Sequence, residues 1–234
     1  MKYQISVIIP VLNEEHIINQ TIAQLAHLNR HDTAEIIVVD GDPLGSTINR
    51  ILDPGVTKIT APAGRAVQMN AGARSARGDH LLFLHADVRL PMDAFEKIEA
   101  VLARRHVAAG AFALGISSRR KAFRIIEWGV AVRGRLTQIP YGDQAIFTSK
   151  QLFFQLGGFK EILLLEDVEL MRRIKKKGRR IAILPAKVAA SPRRWEKEGL
   201  LYCTLRNWAL ILLYRLGVSP ERLAKFYRAR RPSL

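Results

Sequence analysis

Apolar and polar positions alternate in blocks along the first hundred residues of the chain. Short continuous apolar runs are typical of strands buried on both faces of a parallel sheet. Such strands are predicted at residues 4–11, 34–40 and 56–60. Helices are predicted between and after them, at residues 14–28, 63–78 and 92–105, with Asn13 as the N-cap of the first. This alternation predicts an α/β fold, in which helices cover both faces of a mostly parallel sheet.

The most strongly apolar strand runs from Leu81 to Leu84 and stops at His85-Ala86-Asp87. Open α/β folds bind ligands at the carboxyl ends of their strands, so His85 and Asp87 are predicted to lie at a binding edge. Asp87 offers a hard oxygen ligand to a divalent cation, and the imidazole of His85 suits Mn²⁺ better than Mg²⁺. The simpler alternative is that Asp87 only caps the helix that follows.

Two other residues before position 80 are candidates for nucleotide binding. Asp40 closes the second strand, where a carboxylate commonly contacts the ribose or base of a nucleoside. The alternative is that Asp40 and Asp42 only stabilise a turn. Arg65 lies near the predicted start of helix 63–78, which favours a phosphate contact, and a solvated arginine is the alternative.

The pattern changes in the second half of the chain. Strands are predicted at residues 108–114, 141–147, 181–184 and 187–190, and a turn at 191–195. Helices are predicted at residues 122–132, 153–159, 163–177 and 200–216, with a last one from Ser219 onward. Glu166 and Asp167 fall near the start of the third of these helices, where capping alone could explain them. A catalytic role requires that one of them face Asp87 across a cleft.

The net charge of +16 is concentrated at the end of the chain. Residues 1–169 carry 19 Lys and Arg against 18 Asp and Glu, whereas residues 170–234 carry 18 against 3. Nucleic acid and an acidic membrane leaflet are both candidate partners for such a segment. The apolar helix 200–216 is too short, and too often interrupted by residues such as Arg206 and Arg215, to span a bilayer. It is predicted to lie on an anionic leaflet, or else to pack under the sheet or at a dimer contact.

Cellular location is predicted from cysteine usage and from the first residues. The single Cys203 excludes an intrachain disulfide and fits a reducing compartment. No apolar signal segment precedes the first predicted strand. We therefore expect a cytoplasmic protein, with peripheral attachment to the inner face of the cytoplasmic membrane as a hypothesis.

Eight motifs in order carry a resemblance to a known family. They are ISVIIPVLNEE, IIVVDGD, GRAVQMNAG, LLFLHAD, PYGDQAIF, GGF, LEDVEL and RRWEKEGL. One such motif is weak, but eight in the right order over roughly 200 residues are specific. The chain resembles the family 2 glycosyltransferases of the GT-A fold, most closely a bacterial branch associated with radical-SAM and selenodomain genes.

The resemblance implies a fold and an activity. It implies a Rossmann-like, mostly parallel central sheet with C-terminal helices, in one domain, 1–234. Within it, residues 1–105 would bind the nucleotide-sugar, 106–195 would form the acceptor and catalytic half, and 196–234 the basic and apolar C-terminal helices. The activity would be metal-dependent transfer of a sugar, with inversion, from a UDP-sugar to an acceptor hydroxyl. Mn²⁺ or Mg²⁺ would be the cofactor. A lipid-linked acceptor and a homodimer are also expected. Nucleic acid is not expected as a partner.

The resemblance also implies roles for individual residues, transferred by position. The donor would contact Pro10, Asn13, Glu14, Asp40, Arg65, Asn70 and Asp87. Asp87, with His85, would hold the metal, and Asp167 would be the catalytic base. The acceptor side would contain Asp143, Gln144, Glu166, Arg194 and Trp195. His85 replaces the first carboxylate of the family's Asp-x-Asp motif, which leaves metal affinity and metal choice open.

Other functions are weighed against this interpretation. A nucleotidyltransferase of similar fold should carry a glycine-rich phosphate loop after the first strand, but residues 10–14 contain no glycine. A nucleic-acid-binding protein would explain the basic segment but not the carboxylates at the strand ends. A nucleotide-sugar-binding protein without turnover stays open, because a sequence does not show turnover.

Overall fold

The computed structural model describes residues 3–29 and 31–228, and within them the strands join in one sheet. The strands are β1 (Ile5–Val11), β2 (Ala34–Asp40), β3 (Thr57–Thr60), β4 (His80–Phe83), β5 (Val88–Arg89), β6 (Val107–Ile116), β7 (Ile146–Ser149) and β8 (Arg180–Ala190). Their order in the sheet is β3-β2-β1-β4-β7-β6-β8-β5. The pairs among β3, β2, β1 and β4 are parallel, as are β6 and β8, whereas β7 and β5 run antiparallel to their neighbours.

Helices cover both faces of this sheet and extend beyond it at the C-terminal end. They are α1 (Ile18–Leu28), α2 (Arg65–Ser75), α3 (Ala94–Leu102), α4 (Lys121–Thr137), α5 (Lys150–Gln155), α6 (Glu166–Lys176), α7 (Arg193–Glu198), α8 (Leu200–Arg215) and α9 (Pro220–Arg228). Short 3₁₀ turns form at Ile48–Arg50 and Gly142–Gln144. The described helices include none that is both long enough and apolar enough to cross a membrane.

Successive side chains of β1 point to opposite faces and so enter two different hydrophobic cores. Ile5, Val7 and Ile9 pack in the core formed with α1, α3 and α4. Ile8 packs in the core formed with α2, α5 and α6. Burial on both faces explains why this strand is a continuous apolar run in the sequence. The predicted α/β fold, with a mostly parallel sheet covered by helices, is confirmed.

Three details of the first half of the chain bear on the binding edge. The chain returns across β1 to place β4 beside it, so the strand order reverses between β1 and β4. Ile17, not Asn13, is the N-cap of α1, so the predicted cap is wrong. Asn13 instead has a φ of 56° within a loop that leaves β1. Asp93 rather than Asp87 is the N-cap of α3, which excludes the capping alternative for Asp87.

In the second half, four predicted elements differ from the structure. The helix predicted at 153–159 is α5 at Lys150–Gln155, because Gly157 and Gly158 have a φ of 78° and 71° and end it. The predicted strand 141–147 is a 3₁₀ turn followed by β7, because the Gln144 side chain bonds back to Tyr141 and holds the turn. The two strands predicted around Pro185 are one strand, β8, whose register against β6 slips there. A proline cannot donate to the ladder, and a local irregularity accommodates it. The turn predicted at 191–195 contains the start of α7.

Close packing of α2 on the sheet depends on Gly72, and this yields a stability prediction. A Cβ at Gly72 would lie 2.5 Å from Cγ2 of Ile8 and 3.1 Å from Cγ2 of Val39. Gly72→Ala should therefore destabilise the protein by about 1–3 kcal/mol, measured as a lower urea midpoint, because the core must shift to admit it.

The matched control is Gly129→Ala in α4. A Cβ there would meet Cζ2 of Trp208 at 3.6 Å, an ordinary contact. This variant should be neutral or slightly stabilising, since alanine favours a helix over glycine by about 1 kcal/mol. Equal midpoints for the two variants would contradict the packing argument.

Candidate functional site

Polar residues collect where β1, β2 and β4 end, around the reversal of strand order between β1 and β4. Such a reversal opens a crevice at the carboxyl edge of a sheet, because the loops on either side leave in opposite directions. Pro10 lies near the end of β1, half-buried and paired with Val39 of β2. Asp87 lies just beyond β4. The fold therefore places Pro10 and Asp87, two of the predicted donor residues, at one edge.

Arg193, the first residue of α7, joins two of these strand ends. Its Nε donates to Oδ2 of Asp87 at 3.0 Å, and its Nη1 donates to Oε2 of Glu14 at 2.8 Å. Its Nη2 also contacts the other carboxylate oxygen of Glu14. Arg194 is among the residues predicted for the acceptor side, whereas Arg193 is not among the predicted site residues. The adjacent arginines were the available signal, but only the fold shows which of them points to the strand ends.

Asp40 is fully buried and organises the loop after β2. Its Oδ2 accepts from the backbone N–H groups of Thr47 at 2.8 Å and Ile48 at 3.1 Å, and its Oδ1 accepts from that of Asp42 at 2.9 Å. The hydroxyl of Thr47 accepts in turn from the backbone N–H of Glu14 at 3.1 Å. These bonds give Asp40 a role in positioning both loops. Its predicted contact with a ribose or base stays a prediction.

Two amide side chains of α2 tie the edge together. Gln68 donates from Nε2 to the backbone oxygens of Val11, at 2.7 Å, and Val39, at 2.8 Å, so it links the ends of β1 and β2. Asn70 is bonded in both directions to the backbone of Phe159, at 2.9 Å each way. Asn70 therefore holds the glycine turn before α6. Its predicted place beside a donor stays a prediction.

A small cleft at the same carboxyl edge is lined by His85 and Asp167. Oδ2 of Asp167 accepts from the backbone N–H of Gly142. A Cβ added to Gly142 would lie 3.1 Å from Nε2 of His85 and 3.2 Å from Oδ2 of Asp167, so both side chains face the same point. Leu165, just before α6, has a φ of 66°. Such strained backbone recurs at functional sites, and here it directs the start of α6 into the cleft.

Burial and neighbouring charges raise the pKa of two carboxylates near this cleft, Glu166 and Asp143. Glu166 is 2% exposed and pairs with Arg65, whose Nε lies 2.9 Å from Oε1. Burial raises the pKa of Glu166, and the neighbouring Asp167 adds to this, while Arg65 opposes it. Burial likewise raises the pKa of Asp143, with Arg133 opposing and Asp167 adding to the rise. Clefts in which burial and like charges perturb acids are candidates for proton transfer.

Burial lowers the pKa of His85 to about 3, and the nearby charges of Arg65, Arg194 and Arg193 add to the effect. The imidazole is therefore neutral near pH 7 and keeps a lone pair for a metal or a hydrogen bond. His85 lines the cleft that contains Asp167. Asp87 lines a different pocket, together with Arg193.

A metal ion at this edge would need ligands beyond the protein. Within residues 3–29 and 31–228, no cluster of three or more His, Cys, Asp or Glu is placed to hold a cation. Magnesium-type sites often use one or two carboxylates and complete their shell with substrate phosphates and water. The partly exposed carboxylate of Asp87 fits a cation held jointly with a diphosphate. His85 as a second ligand stays a prediction.

The residues predicted for the acceptor side are in different environments. Gln144 is 2% exposed, and its amide donates to the backbone oxygen of Phe112 at 2.9 Å. The Arg194 guanidinium lies 5.9 Å from the ring centroid of Tyr227. Trp195 packs edge-on against Phe123, and its indole N–H has no hydrogen-bond partner among the described residues. Gln144 thus has a structural role in the turn, and the acceptor contacts stay predictions.

Comparison with known proteins agrees with the geometry. The family described as Glycosyl transferase family 2 matches residues 6–162. A Bacillus subtilis (strain 168) protein described as "Probable glycosyltransferase YdaM" is 28% identical over 221 residues, which cover 83% of this chain and 51% of that protein. The chain thus spans about half the length of this curated relative.

A solved structure extends the comparison to three dimensions. The mannosyltransferase PcManGT from Pyrobaculum calidifontis, in complex with GDP-Man and Mn²⁺, is similar with a TM-score of 0.65 and 23% identity. The likeness covers 81% of this chain and 57% of that one. At this identity the likeness shows the fold, which is of the GT-A type.

The environment of His85 predicts a change of stability with pH. The folded state resists protonation down to about pH 3, whereas the unfolded chain takes up the proton near the ordinary value of 6.5. Stability should therefore fall as the pH drops from 6.5 toward 4, by up to about 1 kcal/mol per pH unit relative to His85→Gln. Urea unfolding of both proteins across this range measures the difference. Parallel curves, or an imidazole NMR signal that titrates near 6.5, would contradict the assignment.

Proposed function

The chain belongs to glycosyl transferase family 2, and on that premise we propose that it transfers a sugar from a nucleotide-diphosphate donor to an acceptor hydroxyl, with inversion at the anomeric carbon. The observation that carries the proposal is the position of Asp167. It is the second residue of α6 and shares a cleft with His85, next to the strand ends where Asp87 and Glu14 meet Arg193. A proton acceptor thus lies beside a crevice of the kind that binds nucleotides.

The donor is proposed to bind along the carboxyl edge of β1, β2 and β4. Arg193 and Arg65 bring positive charge there, and guanidinium groups match the geometry of phosphate oxygens. The proposed donor residues are Pro10, Asn13, Glu14, Asp40, Arg65, Asn70 and Asp87. A UDP-sugar is proposed from the resemblance. Because the structural neighbour was solved with GDP-Man, GDP-sugars belong in the same binding screen.

Asp87 is the residue proposed to hold a divalent cation, with His85 as the second ligand, and Mn²⁺ or Mg²⁺ as the ion. When bound, such an ion would neutralise the negative charge that builds on the departing diphosphate. The chain supplies part of this stabilisation itself, because Arg65 is fixed by Glu166 within the same region. A charge held in place before the reaction costs no reorganisation as the bond breaks.

Asp167 is proposed to be the general base. The acceptor oxygen would form a bond to the anomeric carbon as the bond from that carbon to the diphosphate oxygen breaks. The hydroxyl proton would pass to Asp167, and the bonding pair would leave with the diphosphate. Inversion needs one such base on the face opposite the leaving group. The proposed acceptor side comprises Asp143, Gln144, Glu166, Arg194 and Trp195.

Further parts of the proposal come from the resemblance and from composition. They are membership of the radical-SAM and selenodomain-associated branch, a lipid-linked acceptor, a cytoplasmic location and a homodimer. The division into residues 1–105, 106–195 and 196–234 belongs with them, although the described sheet contains strands from both of the first two segments. Sedimentation of the purified chain measures the dimer directly.

The base assignment predicts a separation of binding from turnover. Asp167→Asn keeps the size of the side chain and an oxygen that can accept from Gly142, but it cannot take up a proton under these conditions. Donor affinity by calorimetry should survive, while transfer should fall by about 10²-fold or more. The assay follows release of nucleoside diphosphate with a panel of hydroxyl acceptors.

Two matched amide variants serve as controls for this assay. Glu166→Gln should cost less turnover, because its carboxylate is engaged with Arg65. Asp143→Asn tests the second candidate base. Wild-type turnover in Asp167→Asn with a loss in Asp143→Asn would move the base to Asp143. Donor binding without turnover in the wild type, for every acceptor, would favour a nucleotide-sugar-binding protein.

The metal assignment predicts a loss that depends on the cation. Asp87→Ala should abolish the gain in UDP-sugar affinity that Mn²⁺ produces in the wild type, measured by calorimetry with and without the ion. His85→Ala should alter the preference between Mn²⁺ and Mg²⁺ more than it alters donor affinity. If Asp87→Ala keeps wild-type affinity for both donor and Mn²⁺, Asp87 does not belong to the site.

A further inference from the structure

Helix α8 is apolar on two opposite sides, and only one of them is covered by the rest of the chain. Cys203 and Leu210 are buried on one side, where Leu210 packs with Leu164 and Leu223. The opposite side is an exposed stripe spaced at three and four residues, which is the spacing of one helix face. It consists of Leu201, Leu205, Trp208 and Leu212, which are 75%, 62%, 61% and 59% exposed.

A second exposed apolar stripe on α4 continues this surface. A Cβ on Gly129 of α4 would lie 3.6 Å from the indole of Trp208, so the two helices meet there. Ile125 lies one turn before Gly129 on the same face and Leu136 two turns after it, and they are 71% and 80% exposed. Trp128, beside them, is 69% exposed. We call this joint surface the α4–α8 face.

Most of the charges that border the α4–α8 face are positive; of the acidic residues of α7 before it, Glu196 is exposed and Glu198 pairs with Arg206. Arg119, Arg120 and Lys121 are exposed in succession at the start of α4. Arg215 is exposed at the end of α8. The only acidic residue within the bounds of these two helices is Glu127, and it is buried and paired with Lys187 at 3.0 Å. An apolar surface bordered by cations complements a layer of anionic headgroups above acyl chains.

We propose that the α4–α8 face binds the surface of an anionic phospholipid bilayer. Exposed patches of this kind on soluble domains mark interaction sites. Two of the three tryptophans of the chain, Trp128 and Trp208, are on this face, and indoles favour the boundary between headgroups and acyl chains. The border of unopposed arginines and lysines favours a lipid surface over a second copy of the chain, which would bring like charges together. Bilayer binding needs neither donor nor acceptor, so its test is independent of the proposed transferase activity.

The first test is sedimentation of the full chain with vesicles of phosphatidylcholine, alone or mixed with phosphatidylglycerol. Binding should require the anionic lipid and weaken as salt is added. Arg119→Gln/Arg120→Gln should weaken binding on the order of 30-fold, because each cation near an anionic surface contributes about fivefold. The control variant is Arg104→Gln/Arg105→Gln. It removes two exposed arginines that precede the start of β6, whereas Arg119 and Arg120 follow its end, and it should leave vesicle binding unchanged.

The second test places the indoles relative to the lipid. Single-tryptophan variants made by Trp→Phe changes retain Trp208, Trp128 or Trp195. Brominated acyl chains should quench Trp208 and Trp128 but leave Trp195, which packs against Phe123, bright. If a tryptophan variant fails to fold, vesicle binding by the two double-arginine variants still tests the proposal.

Four outcomes of the vesicle experiments would overturn the proposal. They are equal binding to neutral and anionic vesicles, no binding to either, equal losses from the two arginine pairs, and no quenching of Trp208. A lipid-free dimer that dissociates on Trp208→Ser would assign the α4–α8 face to a second copy instead and would overturn it too.

Discussion

Burial of the central strands on both faces is the constraint on which the rest of this structure depends. β1 contributes Ile5, Val7 and Ile9 to one core and Ile8 to the other, and the buried carboxylate nearest to it, Glu35, is bonded to Ser6 near the start of the strand. An unpaired charge placed there would cost more than a domain of this size can spare. Polar chemistry is therefore confined to the ends of the strands. The cleft that contains Asp167 is reached from that same edge.

The loops at this edge are held by buried polar side chains that bond to backbone groups of neighbouring strands and loops. Asp40 fixes the loop after β2, and Gln68 joins the ends of β1 and β2. The hydroxyl of Thr21 on α1 donates to the backbone oxygen of Ala86, between His85 and Asp87. Each bond engages a backbone group near the strand ends. This supporting network fixes the backbone on either side of the residues proposed to act on a substrate.

The predictable parts of the molecule are those that leave a local pattern in the sequence. β1, β2 and β4 are continuous apolar runs because they are covered on both faces, and α1, α3 and α6 have their expected positions within a few residues. The antiparallel insertion of β7 between β4 and β6 has no such pattern, because a short buried strand has the same sequence in either direction. Strand ends were sufficient to place Asp87, and the Glu166-Asp167 pair was sufficient to place the start of a helix.

What could not be predicted depends on contacts between distant parts of the chain. Arg193 meets Asp87 across 106 residues and Glu14 across 179, and nothing local distinguishes it from Arg194. The N-cap of α1 was misplaced at Asn13 because the loop after β1 is shaped by Thr47, from another strand's loop. The roles of Asp40 and Asn70 in holding loops, likewise, follow from partners that sequence spacing does not indicate.

The bridge made by Arg193 has a consequence for how this edge meets any positively charged ligand. The carboxylates of Asp87 and Glu14 already share one guanidinium, so half of their combined negative charge is compensated before a ligand arrives. A cation that binds Asp87 must displace the guanidinium of Arg193. The measured affinity for the cation therefore reflects the difference between the interaction of Asp87 with the cation and its interaction with Arg193. Arg193 is the first residue of α7, so a ligand that displaces its side chain from Asp87 also removes a contact between α7 and the strand ends. The start of α7 would then be joined to this edge by the backbone N–H of Ser191, which donates to the backbone oxygen of Asp87 at 3.0 Å.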